Sequence, residues 1–506
     1  MNRRRFLHTL ALSGIAATAS RVPAIAAAGK PFRTPSKLLA GAGTPLRFPA
    51  DWDGGPIVAA ATKQNVWPDT QTDVWTYGGS WPGPTIRVKR GDTFKARMVN
   101  MLDEPTIIHW HGMIVPHEMD GHPSQAVGTK ESYNYSFPIL NRAGMYWYHP
   151  HPHHRTAIQA YRGMAGLFIV EDDAEKDLGL PDGGHDIPLV LQDRRIRDSR
   201  SEFRYEIVTD DDHIQGFLGD AVFVNGTPDP YLEVAKGLYR FRLLNGANAR
   251  IFYLSFTDDR PFHIIASDGG LLDKPYKVSL LSISPGERFE ILVDFSGDDI
   301  GTSVMLRSEE TGGGAGYPPP QGAAFPVIRF DVVKEATKTF TIPQTLVPYE
   351  QYRAEDAVRE RDFILSIKHE GSVGNLDVGH FINGLEFEMD RVDGTIPINE
   401  LEIWNFRNTS LAPHPMHAHG VQFQVLDRAG NTNLAARDRG WKDTILVLPY
   451  QTVRVLVRFN PYPGIYLVHC HNLEHESHGM MLNFEVTGEP TGVESAAAQI
   501  EKLDLK

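Results

Sequence analysis

Cysteine is nearly absent: Cys470 is the one thiol in 506 residues, so no intramolecular disulfide can form and stability must come from apolar cores. Long apolar runs are missing as well. No stretch approaches the roughly eighteen consecutive apolar residues of a membrane span, which predicts a soluble mature chain with no membrane partner. Basic residues are in deficit, 50 Lys and Arg against 63 Asp and Glu, for a formal net charge of −13. That balance argues against nucleic acid and anionic lipid as partners.

What is present begins with "NRRRFLH", where Arg3, Arg4 and Arg5 precede Phe6 and Leu7, an Ala-rich apolar stretch, and the small residues of "AIAAAG". This order predicts a twin-arginine export signal over residues 1–28, and hence a periplasmic or secreted protein. Ser13, Thr18 and Ser20 interrupt the apolar run, which is too short to span a membrane. Loss of residues 1–28 takes four arginines and no acid, moving the charge to about −17. The remainder, at about 150 residues per domain, predicts three domains.

A weak internal repeat supports that count. One copy runs through "WTYGGSWPGPTIRVKRGDTFKARMVNML", a second through "VFVNGTPDPYLEVAKGLYRFRLLNGAN", and a third through "ELEIWNFRNTSLAPHPMHAHG". Each alternates apolar with polar residues over short runs broken by Gly, Pro, Asn and Asp, the pattern of half-buried strands. The expectation is an all-β chain of three consecutive Greek-key β-sandwiches at 45–178, 185–335 and 363–488. A polar linker at 336–362, a tail at 489–506 and a solvated Gly/Pro-rich connector at 309–326 complete the layout.

Histidines separate the copies. The first and third carry dense clusters, "HWHG" (His109, His111), "YHPHPHH" (His149, His151), "HPMHAHG" (His414, His417, His419) and "HCHNLEHESHGMM" (His469, Cys470, His471, His475, Met480). The middle copy offers only His263 in its equivalent region, so chemistry is expected where the outer two domains meet. In a strand, residues i and i+2 share a face, so each His-x-His pair can converge on a metal while Cys470 points the other way. A thiolate, imidazoles and a thioether match an electron-transfer copper site. Zinc is the rival, but a four-ligand structural site would leave most of these imidazoles unused.

As a set these four motifs resemble the three-domain multicopper oxidases, over about residues 50–488. The resemblance implies three cupredoxin-like domains and four copper ions. The type 1 ion would be held by His414, Cys470, His475 and Met480, and the type 2 ion by His109 and His417. The coupled type 3 pair would take His111, His149, His151, His419, His469 and His471. Asp120, nine residues after His111, matches the family's proton-relay aspartate, and Glu476 matches an acid of similar bacterial enzymes. His117, His122, His153, His154 and His478 fall outside the motif positions and are assigned to the surface or to support of the ligands.

The activity implied is laccase-like, with O2 and a small reducing substrate, phenolic or otherwise organic, meeting an exposed type 1 histidine. The alternatives are a periplasmic oxidase of Cu(I), Mn(II) or Fe(II), and a non-catalytic copper-binding or structural protein. Ser410 and Ala412 stand where cuprous oxidases of the family carry an acid and a methionine, and the linker holds no methionine, which counts against a dedicated cuprous site.

Overall fold

The computed structural model describes residues 43–196, 199–311, 321–372 and 375–490. The expected export signal, most of the tail and half of the Gly/Pro-rich connector lie outside those residues. Within them the chain forms three β-sandwiches of two sheets each.

In the first, a four-stranded sheet ordered Thr70–Tyr77, Ile57–Trp67, Thr93–Asn100, Ser132–Pro138 faces another ordered Gly83–Lys89, Gly166–Glu171, Gly144–Pro150, Ile108–His111. Alternation sets the faces: in Thr93–Asn100, Phe94 and Met98 are buried while Thr93 and Lys95 are exposed. The middle domain pairs a six-stranded with a seven-stranded sheet, and Thr44–Pro45 joins it in parallel beside Pro230–Ala235. The third has two five-stranded sheets, one carrying the strands His414–Ala418 and Gly464–Cys470 side by side. Three separate apolar clusters fill the sandwiches, around Trp110 and Phe137, around Phe241 and Phe330, and around Trp404 and Phe459.

Helices are few and short, as the sequence pattern predicts. Two bear on the site. Leu473–Ser477 follows the Cys470 strand and packs through Leu473 on Ala157 and Ala160 of Thr156–Tyr161, joining the first and third domains. Asp210–Gln215 starts at Thr209, whose hydroxyl accepts from the Asp212 amide in a capping box, and lies across the strand Asn375–Ile382.

Candidate metal centre

Register brings the histidines into opposition. Between Ile108–His111 and Gly144–Pro150, His109 lies opposite His149, while Trp110 and Tyr148 turn into the first core. Between His414–Ala418 and Gly464–Cys470, His417 lies opposite His469 and Met416 opposite Cys470, both of the latter in the third core. One face of each strand pair is therefore imidazole and the other apolar.

The two imidazole faces meet at the domain contact. His109 Nε2 and His417 Nε2 are 3.4 Å apart, His151 Nε2 and His469 Nε2 3.4 Å, His419 Nε2 and His469 Nε2 3.0 Å, and His111 Nδ1 and His149 Nε2 3.3 Å. His471 completes the group, its ring centroid 4.9 Å from that of His111. All eight are at most 1 % exposed. Gly286 of the middle domain closes one side at positive φ, and a Cβ there would sit 3.0 Å from the His471 ring.

Most of these rings are fixed through one nitrogen, which leaves the other free. Nδ1–H groups donate to backbone carbonyls from His109 to Asp120 (2.7 Å), from His417 to Asp443 (2.8 Å), from His149 to Pro150 (3.0 Å) and from His469 to Cys470 (3.2 Å). His419 donates from Nδ1 to the Asp120 carboxylate at 2.7 Å, and His111 from Nε2 to the Asp443 carboxylate at 3.1 Å. Such bonds set the tautomer and aim the remaining lone pair, as metal ligands require. Burial, with neighbouring imidazoles adding to it, holds His111, His149, His151, His417, His419 and His471 well below the ordinary histidine range, so they are neutral donors.

On the opposite face, Cys470 Sγ lies 3.4 Å from His414 Nδ1 and 3.6 Å from His475 Nδ1, and those two nitrogens are 3.2 Å apart. Here too the far nitrogens are engaged: His414 Nε2 with Ser410 Oγ at 2.8 Å, and His475 Nε2 with the Ile214 carbonyl at 3.1 Å. Met480 is fully buried in the same core, and its amide donates to the His475 carbonyl at 2.9 Å. Burial pushes the Cys470 thiol far up and brings His414 down to about 3. A thiol with so high a pKa surrenders its proton when a metal takes that proton's place.

Besides Asp443, two acids reach the histidine cluster. Asp120, fully buried, spans His109 and His419, through its carbonyl and its carboxylate respectively. Glu476, 1 % exposed, lies 3.6 Å from His151 Nε2 and 3.4 Å from His469 Nδ1, and burial raises its pKa to about 8.

Sequence models for multicopper oxidase domains match residues 60–175, 208–316 and 360–490. The multicopper oxidase mco of Staphylococcus aureus is 35 % identical over 416 residues, 81 % of this chain and 83 % of that protein. A laccase of Bacillus stratosphericus is 31 % identical over 471 residues, 82 % of this chain and 91 % of the laccase. The chain belongs to the multicopper oxidase family. A crystal structure of McoA multicopper oxidase from Aquifex aeolicus superposes with a TM-score of 0.79 at 36 % identity, over 88 % of this chain and 100 % of that one. The fold is three cupredoxin-like domains, and the protein is a copper oxidoreductase that uses O2.

The side chains fit a copper-binding role on their own terms. Among the described residues, five groups of three donors have all their ligand atoms within 4.8 Å of one another. Neither nitrogen of His471, nor Nδ1 of His151, has a hydrogen-bond partner although both residues are fully buried. Leaving buried polar atoms unpaired costs about 1–3 kcal/mol each, a penalty that a ligated ion would remove at the metal-facing nitrogens.

Three features depart from the sequence reading or extend it. The two histidines expected at a type 1 ion are not exposed: His414 and His475 are both 0 % accessible, because Ser410 and the helix Asp210–Gln215 close over them. Among the histidines set aside, His122 is a buried structural residue, bonded through Nε2 to Asn483 at 2.8 Å. Two groups went unread. Asp443 in "GWKDT" anchors His111 and His417 and is itself clasped by Arg288 of the middle domain, with Nη1 at 2.6 Å. His380 stacks on His475 with ring centroids 4.2 Å apart. The charged pair Lys442-Asp443 set between Trp441 and the apolar run Ile445–Val447 was the signal for Asp443, whereas a lone histidine in a strand gave none for His380.

Proposed function

We propose that this multicopper oxidase holds a type 1 copper at His414, Cys470, His475 and Met480. A type 2 ion lies at His109 and His417, and a coupled type 3 pair at His111, His149, His151, His419, His469 and His471. The protein is laccase-like, coupling one-electron oxidation of phenolic or other organic donors to four-electron reduction of O2 to two waters. Bound copper supplies the one-electron redox chemistry, with soft sulfur ligation favouring easy exchange between Cu(I) and Cu(II).

The chain's part is to connect, orient and supply protons. Cys470 and its two neighbours give a covalent path of a few bonds from the sulfur to His469 and His471, which lie on the opposite strand face. Asp120 holds His419 by its carboxylate and His109 by its carbonyl, so it orients two ligands of the cluster and carries a titratable group at it. Glu476 is the acid beside His151 and His469, and its buried carboxyl is placed to pass protons to the cluster as oxygen is reduced. The likeness to a protein named laccase supports the organic donor.

The observation that carries this reading is the single thiol within 3.4–3.6 Å of two imidazole nitrogens, with its sequence neighbours in the histidine cluster of the domain contact. Oxygen uptake with a phenol and with Cu(I), compared on the copper-loaded protein, tests it. Uptake driven by the phenol is expected, and a strong preference for Cu(I) overturns the organic donor. Export by the twin-arginine route to the periplasm or beyond accompanies the proposal. Arg4→Lys with Arg5→Lys is expected to leave the protein in the cytoplasm on cell fractionation.

A further inference from the structure

A donor in solution meets neither imidazole at the sulfur site. His414 is 0 % exposed and its outer nitrogen is taken by Ser410. His475 is 0 % exposed, its outer nitrogen is capped by the Ile214 carbonyl, and one ring face is covered by His380 at 4.2 Å and 24°. His380 is itself fully buried in the strand Asn375–Ile382, and neither of its ring nitrogens makes a well-formed hydrogen bond, the His213 backbone being only a loose neighbour. That is an expensive way to fill a core position, since a phenylalanine or leucine would leave nothing unpaired.

The ring does not end there. His478 lies beyond it, 5.6 Å from His380 by centroids and 26° from parallel, and His213 stacks on His478 at 5.8 Å and 24°. Both outer rings are half-buried and reach solvent. Four imidazoles therefore run in near-parallel succession from the surface to the ring beside Cys470. They come from the helices Asp210–Gln215 and Leu473–Ser477, the residue just after the latter, and the strand Asn375–Ile382. Stacked π systems couple electronically across van der Waals contact, whereas saturated side chains of the same length couple weakly.

Resting on the copper assignment at Cys470, we infer that His380, together with His478 and His213, is the electron entry of this protein. A donor docks at the outer rings and its electron crosses His380 to reach His475. The phenol gives one electron through the stack, reducing one Cu(II) to Cu(I), and one proton to solvent, leaving a phenoxyl radical. Four such steps, with O2 and four protons, yield two waters. No imidazole undergoes net change. The donor this entry suits is a planar aromatic able to lie against an exposed ring.

The test measures electron arrival rather than turnover. In the copper-loaded protein under argon, a soluble photoreductant is flashed and bleaching of the thiolate-to-copper band is followed, alongside the reduction potential and position of that band. His380→Leu is expected to slow arrival about tenfold or more with band and potential unchanged, and His380→Phe, which keeps a ring in the stack, is expected to recover most of the rate. His478→Leu is expected to slow it as well. Arrival at the wild-type rate in His380→Leu overturns the entry path and assigns access to displacement of the helix over His475. A shifted band or potential in both His380 variants also overturns it, making His380 a shaper of the metal site. A wild-type protein with copper bound but no such band removes instead the assignment at Cys470, which separates the two failures.

Discussion

Replacing Arg288 with methionine tests how far the ligand-free middle domain governs the metal centre. Arg288 is 1 % exposed and offers its guanidinium to both oxygens of Asp443, with Nη1 at 2.6 Å, and to the carbonyls of Gly286, Met145 and Asp268 at 2.9, 3.2 and 3.0 Å. Asp443 and Asp268 are both fully buried, and with Arg288 gone the one permanent cation left beside either is Lys442, 3.0 Å from Asp268, since His111 and His417 at Asp443 are neutral imidazoles. Breaking a buried pair from one side costs about 3–5 kcal/mol, because a desolvated charge is left behind. With a urea dependence of about 3 kcal/mol per molar for a domain of this size, the transition that unfolds the affected domains moves down by about 1–1.7 M. Urea unfolding of the copper-free protein, followed by tryptophan fluorescence and circular dichroism, gives the midpoint, and Arg353→Met is the control. That arginine pairs with Asp356 at 2.9 Å while 63 % exposed, so water and salt screen the pair and its loss is expected to leave the midpoint nearly unchanged. Arg288→Lys restores charge without the two-pronged geometry and is expected to recover only part of the shift. Arg288→Met should also lower copper content, since Asp443 fixes His111 from the other side. A midpoint shift for Arg288→Met no larger than for Arg353→Met refutes the reasoning.

Cys470→Ser is expected to abolish the intense visible band of the copper-loaded protein while leaving circular dichroism intact, because the hydroxyl fits the site but gives no thiolate charge transfer. Asp120→Asn should slow the oxygen-reducing half-reaction more than reduction by the donor, read by single-turnover absorbance; equal slowing of both removes a proton role for Asp120. His122 is held below its ordinary pKa mainly by burial, so its folded value lies under its unfolded one. Its contribution to stability is therefore present above about pH 6.5 and lost as pH falls through the folded value. Wild type should lose stability up to about 1.4 kcal/mol per pH unit more steeply than His122→Gln across that window, and parallel curves would exclude the titration of His122 as the cause.

Much of the centre was legible because strand periodicity is local. His109 with His111, and His469 with His471, sit two residues apart, and their convergence needs no knowledge of the rest of the chain. The clustering of histidines in the first and third copies likewise pointed to their contact, and the pairs His109–His417 and His151–His469 meet across it. The expected exposure of His414 and His475 failed, since it is set by the helix Asp210–Gln215, which reaches His475 from 261 residues away. Asp443 meets His111 across a separation of 332 residues, and no spacing rule could have joined them.

The sequence by itself determined the donor types, their alternation on strands, the threefold repeat and, through one thiol among histidines, the metal. Tertiary structure alone decided which imidazoles are sealed from solvent, which carboxylate and arginine hold them from behind, and that His380 lies against His475. The reason is physical: a strand's faces follow from the backbone period within a few residues, whereas docking of three sandwiches brings together side chains whose proximity leaves no periodic trace along the chain.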